Sequence, residues 1–569
     1  MAAARPSALL LLAAVAACRP PTPGADVRSR LVHFGAINDW HGALQPRTAP
    51  VGAGARYAGG LAVLAGAVDR AADARPGLTL LDGGDCFQGD AAINLSNGLG
   101  AVEALGLLGV KAAAIGNHEF DYGGPKGGDR RAHLKAAAAG APFPFLSANI
   151  EEEDGAGGWR PWHPENILSE VMLDVRAEDG SLVKLGVYGL TTTSTPTTTR
   201  PDNVMGLRFT DLAEASRAAL GRLRANGAEI TVLVGHIEGD CPKLEGAAHS
   251  LQPRAACLPT GEVGALLSAL GDEAPDLMVL GHSHTVLAHQ QGKTALVEAG
   301  SHGMALGLLS LRLGPDGVLP AQTELPAPEV LAHEAPPARC GVAPTRDPLP
   351  VAGAPLTPNA EAITLISRLE GAVEGGCAPA GCALTGLGRT KDSPSALGAW
   401  AAAAVKGAFP QADLGVQNGG GLRADLPAGP LIAADWQDIM PFPNTAVLIE
   451  LSGAQVLAML EEGAAGRHSF LHVAGARYRI DPTRPAQGRI CPGVEIGGRR
   501  LDLQATYRVA TSNFLAEGGD HMGEVYGRPT PAADAGSLRE VMMRAALAAG
   551  ASCITPPTPT VELGPCSTP

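Results

Sequence analysis

Short apolar runs alternate with helix-like stretches from about residue 30 to residue 320. The runs that we predict to be strands are Leu31–Ile37, Leu78–Leu81, Ala112–Ile115, Leu182–Leu190, Ile230–Val234, Leu277–Leu280 and Ala295–Glu298. Stretches rich in alanine and leucine lie between them, such as Gly60–Ala72 and Asp211–Ala225, and are predicted to be helices. This alternation indicates an α/β domain.

Five of the predicted strands end in glycine and potential metal ligands. The five ends read Asn38-Asp39-Trp40-His41-Gly42, Gly84-Asp85, Gly116-Asn117-His118-Glu119-Phe120-Asp121, Gly235-His236 and Gly281-His282-Ser283-His284. Ligands in α/β proteins gather outside the carboxyl ends of strands. Asp39 and His41 are two residues apart, so both side chains would point the same way in an extended segment. Carboxylates together with imidazoles favour Zn²⁺ or Mn²⁺ over Ca²⁺.

A proline-rich stretch separates this half from a second one. Proline becomes frequent between residues 321 and 358, which we interpret as a linker with short ordered pieces. We therefore predict a catalytic domain over 30–320, a C-terminal domain over 359–550 and a tail over 551–569. The elements predicted in the second domain are helices near Glu361–Leu369, Ser395–Phe409 and Ala535–Ala549 and strands near Val447–Leu451 and Tyr507–Thr511.

The five strand ends, taken in order, resemble the calcineurin-like dinuclear metallophosphoesterases. Motifs of the second half narrow the resemblance to the 5′-nucleotidase family, which includes exported bacterial 5′-nucleotidases and UDP-sugar hydrolases. The resemblance covers nearly all of residues 30–545. It implies an N-terminal four-layer αββα metallophosphoesterase sandwich and a mixed α+β C-terminal nucleotidase domain.

The resemblance also implies which residues hold metal. Asp85 would bridge two divalent ions, Zn²⁺ or Mn²⁺. The remaining ligands would be Asp39, His41 and His284 for one ion, and Asn117, His236 and His282 for the other. His118 and Asp121 match the family's catalytic dyad, in which the carboxylate holds the imidazole and the imidazole faces the phosphoryl oxygens.

Elementary electrostatics agrees with this assignment. Two dications contribute +4, while Asp39, Asp85 and a bridging hydroxide contribute −3, so the cluster would carry about +1 and attract a phosphate dianion. Metal lowers the pKa of a bound water towards about 7, which supplies hydroxide for in-line attack at neutral pH. A protonated His118 would stabilise the charge that develops on the phosphoryl group.

Three segments of the second half match nucleotide-binding segments of the family. Gln417-Asn418-Gly419-Gly420-Gly421-Leu422-Arg423 resembles its N-G-G-G-[IL]-R motif, Pro441-Phe442 a second segment, and Asn513-Phe514-Leu515-Ala516-Glu517-Gly518-Gly519-Asp520 a third. The candidate substrate-binding residues are Asn418, Gly420, Arg423, Phe442, Phe514 and Asp520. The resemblance implies that the two phenylalanines sandwich the base, which suits the π face of any base. It also implies that Asp520 binds the ribose hydroxyls. Core packing is the alternative for both phenylalanines.

The segment 389–404 departs from the family. The asparagine and aspartate that the family carries in this helix are absent, and an expected arginine position falls on Ser393. Arg389 or Lys391 could substitute for that arginine. Otherwise Arg423 alone would bind the phosphate, or the substrate would differ from that of the family.

The N-terminus resembles that of an exported lipoprotein. A short apolar run ends in Val15-Ala16-Ala17-Cys18, similar to a bacterial lipobox, so we expect a signal peptide over 1–18, a lipid on Cys18 and a tether over 19–29. An ordinary signal peptide is the alternative. The absence of aspartate after Cys18 favours the outer membrane, with the protein facing the periplasm or the cell surface. The net charge of −14 argues against a nucleic-acid partner and against a basic membrane-binding patch.

The number of cysteines supports export, but the sequence does not determine which cysteines pair. With Cys18 assigned to lipid, nine of the ten cysteines remain, so at least one thiol is expected to be free or to pair between chains. Cys241–Cys257, Cys377–Cys382 and Cys553–Cys566 are plausible local pairs. Cys86, next to the predicted bridging ligand, is expected to be a buried structural thiol rather than a soft extra ligand.

The sequence therefore predicts an exported, lipid-anchored enzyme with two metal ions that removes phosphate from 5′-nucleotides, with nucleotide sugars as further candidate substrates. The alternatives are a 2′,3′-cyclic-nucleotide phosphodiesterase with 3′-nucleotidase activity, a hydrolase of sulfur compounds, and a non-catalytic surface lipoprotein that captures nucleotides. Neither the preferred base nor the oligomeric state follows from the sequence.

Overall fold

A computed structural model describes residues 30–51, 54–125, 127–239, 260–315, 317–320, 323–324, 329–333, 356–373, 375–466, 469–557 and 560–566. The predicted signal peptide, Cys18 and the tether lie outside these residues, as do Cys241, Cys257, Cys340 and most of the predicted linker. No helix in the described part of the chain is both long and apolar enough to cross a membrane.

The strands of the first half are β1 Arg30–Ile37, β2 Arg47–Val51, β3 Gly54–Ala58, β4 Thr79–Asp82, β5 Ala112–Ala114, β6 Phe145–Leu146, β7 Ile150–Glu153, β8 Trp159–Pro161, β9 Ile167–Leu168, β10 Glu170–Arg176, β11 Leu182–Thr191, β12 Leu207–Phe209, β13 Ile230–His236, β14 Leu277–Gly281, β15 Val286–Gln291, β16 Thr294–Ala299, β17 Ala305–Gly314, β18 Gly317–Val318, β19 Glu329–Val330 and β20 Ala332–His333. Its helices are α1 Leu61–Ala74, α2 Ala91–Leu95, α3 Leu99–Leu108, α4 Ala132–Gly140, α5 Thr195–Thr198, α6 Leu212–Ala225 and α7 Gly261–Leu270. All seven strands predicted here are present, with ends that differ by at most two residues.

The second half begins with helix α8 Ala360–Gly371. Its other helices are α9 Ala396–Gly407, α10 Ala433–Ile439, α11 Gly453–Ala465, α12 Asn513–Ala516, α13 Met522–Tyr526 and α14 Leu538–Ala548. Its strands are β21 Pro379–Ala383, β22 Leu414–Asn418, β23 Gly429–Ile432, β24 Thr445–Ser452, β25 Leu471–Ala474, β26 Ala476–Ile480, β27 Glu495–Ile496, β28 Arg499–Arg500, β29 Thr506–Ser512, β30 Ala533–Ser537 and β31 Val561–Leu563. The helix predicted from Ala535 begins three residues later, because β30 occupies the start of that segment.

Two sheets face each other in the first half. Their strand orders are β18-β17-β1-β4-β5-β6-β9 and β10-β11-β13-β14-β16-β15. Side chains such as Val32, Val232 and Val279 fill the space between the sheets. Helices α1, α3 and α4 cover the outer face of the first sheet, and α6 and α7 cover that of the second. The predicted four-layer αββα sandwich is therefore confirmed.

A five-stranded sheet of order β25-β22-β29-β24-β30 forms the centre of the second half. Helices α9 and α14 pack on one face and α11 and α13 on the other, so this half is the expected mixed α+β unit. Helix α8 lies inside the range predicted for the C-terminal domain, but its buried residues Leu365 and Leu369 pack into the first-half core. The domain boundaries at 320 and 359 stay predictions.

Two disulfides differ from the local pairs predicted from sequence. Cys382 bonds to Cys553 across 171 residues, and Cys491 bonds to Cys566 across 75 residues. The predicted pairs Cys377–Cys382 and Cys553–Cys566 are therefore wrong, because strands β21 and β26 bring distant parts of the chain alongside the C-terminal tail. Cys377 is also disulfide-bonded, and Cys86 is free and buried, as expected.

Candidate dinuclear metal centre

The predicted ligands lie together beyond the carboxyl ends of five strands. Asp39 and His41 follow β1, Asp85 follows β4, and Asn117 follows β5, while His236 ends β13 and His282 and His284 follow β14. Strands β1, β4 and β5 belong to one sheet, and β13 and β14 to the other. The centre therefore lies at the edge where the two sheets meet.

One cluster consists of Asp39, His41 and His284. His284 Nε2 lies 3.2 Å from Asp39 Oδ1 and 3.1 Å from His41 Nε2. Asp39 and His41 are almost fully buried, and His284 is partly exposed. Ligand bonds of about 2.1 Å would separate the donor atoms of one ion by about 3 Å when the bonds are close to perpendicular. The spacing in this cluster fits that requirement.

A second cluster consists of Asp85, His236 and His282. His236 Nε2 lies 3.0 Å from Asp85 Oδ2 and 3.2 Å from His282 Nδ1. Asp85 also joins His41 in a third candidate group, so its carboxylate lies between the two ligand sets as a bridging ligand requires. The side-chain oxygen of Asn117 is buried without a hydrogen-bond partner among the described residues, which suits a metal ligand.

The backbone at these ligands is unusual. Asp39, His41, Asp85, His282 and His284 all have positive φ, between 46° and 83°. Such a conformation is uncommon outside glycine and clusters at functional sites. The prediction that Asp39 and His41 lie in an extended segment is therefore wrong, because left-handed residues in this loop direct the two side chains to the centre.

A buried acid fixes the loop that carries Asp85. Both carboxylate oxygens of Glu119 accept backbone N–H groups, from Gly116 and Asp85 on one oxygen and from Cys86 and Phe87 on the other, at 2.6 to 3.1 Å. These bonds satisfy donors that a buried loop would otherwise leave unpaired. Glu119 thus holds the strand ends of β4 and β5 together.

His118 and Asp121 form the predicted pair. His118 Nδ1 lies 2.5 Å from Asp121 Oδ2, and the other carboxylate oxygen accepts a hydrogen bond of 2.8 Å from the Thr199 hydroxyl. Burial lowers the pKa of His118, but the carboxylates of Asp121 and Asp85 outweigh this effect and raise the pKa above its ordinary value. These two carboxylates therefore stabilise the protonated imidazole relative to that of a free histidine.

Two side chains of the second half reach this centre. The Arg423 guanidinium donates towards His41 Nε2 at 3.3 Å, and its carbon lies 6.0 Å from the centre of the Phe442 ring. The Phe442 ring in turn lies 5.8 Å from the ring of His118. Arg423 and Phe442, two of the candidate substrate-binding residues, therefore lie beside the dyad and the cluster that contains His41.

The other candidate substrate residues lie on neighbouring segments. Asp520 Oδ2 accepts hydrogen bonds from Asn418 Nδ2 at 2.8 Å and from the Ser469 hydroxyl at 2.6 Å. Phe514 is partly buried against the second-half core. A Cβ added to Gly420 would make ordinary van der Waals contact with the Ser469 side chain at 3.5 Å, so packing alone does not require glycine at this position.

Three comparisons with known proteins agree with this geometry. A family model described as the C-terminal domain of 5′-nucleotidases matches residues 380–527. A probable 5′-nucleotidase of Treponema pallidum is 24% identical over an alignment that covers 89% of each chain. The crystal structure of a 5′-nucleotidase precursor from Thermus thermophilus superposes with a TM-score of 0.71 at 25% identity, covering 94% of this chain and 99% of that one.

The chain is similar over most of its length to 5′-nucleotidases, and residues 380–527 match the C-terminal domain of that family. It is a phosphoesterase enzyme. The trifunctional nucleotide phosphoesterase protein YfkN of Bacillus subtilis is 26% identical over 78% of this chain, and the alignment spans 30% of that longer protein.

In the segment 389–404, which departs from the family pattern, Arg389 lies close to Arg423. Arg389 is partly buried, donates to the Leu422 carbonyl at 2.9 Å and so lies directly behind Arg423. Burial, followed by the charge of Arg389, lowers the pKa of Arg423 to about 10. Ser393, at the expected arginine position, instead accepts a hydrogen bond from the Thr390 hydroxyl through its carbonyl.

His302 is a member of the site that sequence reasoning missed. Its ring lies 5.3 Å from the ring of His41 and 6.0 Å from that of His284, and its backbone N–H donates to the Asp39 carbonyl at 2.7 Å. The residue also has a positive φ of 56°. The signal was present in the sequence, because Gly300-Ser301-His302-Gly303 follows β16 as the other ligand loops follow their strands.

Proposed function

We propose that this protein removes phosphate from 5′-nucleotides, using two divalent ions held by the residues of the two clusters. The observation that carries the proposal is the convergence of Arg423 and Phe442 on His118 and His41. A cation and an aromatic face beside the ligands match a substrate with both a phosphate and a base.

Asp39, His41 and His284 would hold one ion, Asn117, His236 and His282 the other, and Asp85 both. Bound ions would activate a water as nucleophile and offset the charge of the phosphoryl group. Zn²⁺ and Mn²⁺ both suit imidazole with carboxylate.

The protein's own groups would bind and orient the phosphate. Arg423 presents a planar fork of N–H donors that matches phosphate oxygens, and Arg389 behind it adds positive charge. His118, kept protonated by Asp121, would donate a hydrogen bond to a phosphoryl oxygen as its charge grows. Phe442 and Phe514 would hold the base and Asp520 the ribose.

Phosphate release from AMP, UDP-glucose and 2′,3′-cyclic AMP tests this proposal. The protein is stripped with a chelator, reloaded with Zn²⁺ or Mn²⁺, and its metal content measured. We expect release from AMP, and a loss of orders of magnitude in His118→Ala with unchanged metal content. Absence of release from AMP with two ions bound would overturn the proposal, and release from the cyclic substrate alone would establish the phosphodiesterase alternative.

The phenylalanine clamp has its own test. Phe442→Leu removes the aromatic face while it keeps an apolar side chain, so it should raise KM for AMP and leave KM for p-nitrophenyl phosphate, which carries no base, unchanged. Phe143→Leu, a change in the buried first-half core, is the matched control. An equal change in KM for both substrates would contradict a base-binding role.

The site of action would be outside the cytoplasm, with Cys18 carrying a lipid anchor that holds the protein at the outer membrane. The bonds Cys382–Cys553 and Cys491–Cys566 support export, because disulfides persist in oxidising compartments. Membrane fractionation and palmitate labelling of the full chain and of Cys18→Ala test the anchor. Retention of the Cys18→Ala variant in the membrane fraction, with label still incorporated, would refute it.

A further inference from the structure

A short segment of the first half lies between the catalytic dyad and the second half. This segment, which we call the bridge segment, runs from Thr195 to Val204 and comprises helix α5 and a 3₁₀ turn. The buried Thr199 hydroxyl donates to Asp121 Oδ1 at 2.8 Å. The bridge segment therefore touches the carboxylate that holds His118.

The same segment contacts the metal-ligand loop and the backbone of the dyad. The Thr198 carbonyl accepts a hydrogen bond of 3.2 Å from the Asn117 side-chain nitrogen, which leaves the oxygen of that amide for the metal centre. Asn203 is buried and donates to the carbonyls of Phe120 and Asp121 at 2.7 and 3.2 Å. Three bridge residues thus fix the position of the 117–121 loop.

On its other side the bridge segment is held by the second half. Arg200 makes two parallel hydrogen bonds of 3.0 Å to the carboxylate of Glu517. The Asp520 backbone N–H donates to the Thr197 carbonyl at 3.1 Å. Both partners belong to the segment from Asn513 to Asp520, which carries the candidate base-binding and ribose-binding residues.

We propose that the bridge segment is a positioning element, through which docking of the 513–520 segment sets the geometry of the His118–Asp121 dyad. Thr199 and Arg200 are its two positioning residues, one on each side. The inference rests on the proposed phosphate-transfer role of the dyad, and it adds that the second half positions the catalytic groups as well as supplying the substrate-binding residues.

The ion pair suits this task because it is specific and reversible. Arg200 and Glu517 are partly exposed, with 33% and 25% of their side chains accessible, so water can reach and replace the contact. A paired guanidinium–carboxylate contact also fixes orientation, which a single hydrogen bond does not. Arg200 and Thr199 are adjacent in the chain, so a shift of one moves the other.

Arg200→Gln, Thr199→Val and the double variant test the coupling on two substrates, AMP and p-nitrophenyl phosphate. We expect both single variants to lower kcat about tenfold on both substrates, while KM for p-nitrophenyl phosphate stays unchanged. The double variant should be no slower than the slower single variant, because the two residues act on the same geometry. Thr199→Ser and the charge exchange Arg200→Glu with Glu517→Arg should restore activity.

Arg222→Gln is the matched control, because Arg222 makes a similar paired contact with Glu170 on another surface. Metal content and the thermal midpoint are measured for every variant, and Glu517→Gln replaces Arg200→Gln if that variant does not fold. A loss on AMP alone, or additive losses in the double variant, would overturn the coupling. If AMP is not a substrate at all, the p-nitrophenyl phosphate series still decides the coupling, so the two proposals fail separately.

Discussion

Replacing Asp121 with asparagine would test the electrostatic role of the dyad. The substitution preserves the shape of the side chain and removes its charge beside His118, where Oδ2 lies 2.5 Å from Nδ1. Asp85 also raises the pKa of His118, but bound ions would offset its charge. Asp121 would then be the main carboxylate that keeps the imidazole protonated.

The size of the effect follows from the lost hydrogen bond. A hydrogen bond to a charged group contributes about 1.5–3 kcal/mol, which corresponds to a decrease of about 10- to 150-fold in kcat if the bond is needed in the transition state. Removal of the whole imidazole in His118→Ala should cost more, about 10²–10⁴-fold. We therefore expect Asp121→Asn to lie between the parent and His118→Ala.

The pH dependence gives a second, independent measurement. Without Asp121 the burial of His118 loses the largest charge that opposes it, so the pKa of His118 should be lower in the variant than in the parent. The protonated form is then lost at a lower pH, and kcat of the variant should decline earlier than that of the parent as pH rises. The deficit should therefore grow between about pH 6 and pH 8, around the ordinary histidine pKa.

The assay is kcat for phosphate release from AMP at saturating substrate over that pH range, with metal content measured at each pH. Asp129→Asn is the control, because Asp129 is a nearby acid that pairs with Lys135 rather than with the dyad. A variant with the kcat and pH profile of the parent would refute the electrostatic role. A variant that loses its metal would show instead that Asp121 acts through the ligand loop.

Three further predictions concern stability and reactivity. Burial and the charge of Asp39 raise the pKa of Glu298 to about 8. Between about pH 4.5 and pH 8 the folded state therefore keeps a proton that the unfolded state releases. The metal-free parent should lose stability as pH rises through this range. The thermal midpoint of the Glu298→Gln variant should not fall over this pH range. A fall in the variant equal to that in the parent would contradict the prediction. Replacing Cys382 and Cys553 with serine should lower the free energy of unfolding by about 2–4 kcal/mol, measured by urea titration; an unchanged midpoint would contradict it. Burial raises the pKa of Cys86, so a maleimide should label it only after unfolding, and rapid labelling of the folded protein would disprove this.

The elements of the first half could be predicted because their strands are buried on both faces. A strand such as β13, with the sequence Ile-Thr-Val-Leu-Val-Gly-His, has every residue buried, so it appears in the sequence as an uninterrupted apolar run. The carboxyl ends of such strands are then the places where polar residues stand out. This explains why the ligand loops could be found by pattern alone.

Long-range contacts were not predictable in the same way. The partner of Cys382 lies 171 residues away, and only the path of β21 beside the tail brings Cys553 to it. Helix α8 likewise has an ordinary amphipathic pattern, which does not specify that it packs on the first half. Thr199 has no local motif at all, because its importance comes from a hydrogen bond to a residue 78 positions away.

The distribution of charge explains how a chain with a net charge of −14 can bind phosphate. The first half supplies two buried carboxylates to the centre, Asp39 and Asp85, whose charge the proposed ions would offset. The second half supplies the cations Arg423 and Arg389, and the Arg423 side chain reaches His41 only while the two halves are docked. Affinity for the phosphate should therefore depend on docking, since separation of the halves removes the guanidinium from the site. The Arg200–Glu517 contact, which stabilises the docked arrangement, would then strengthen phosphate binding without touching the substrate.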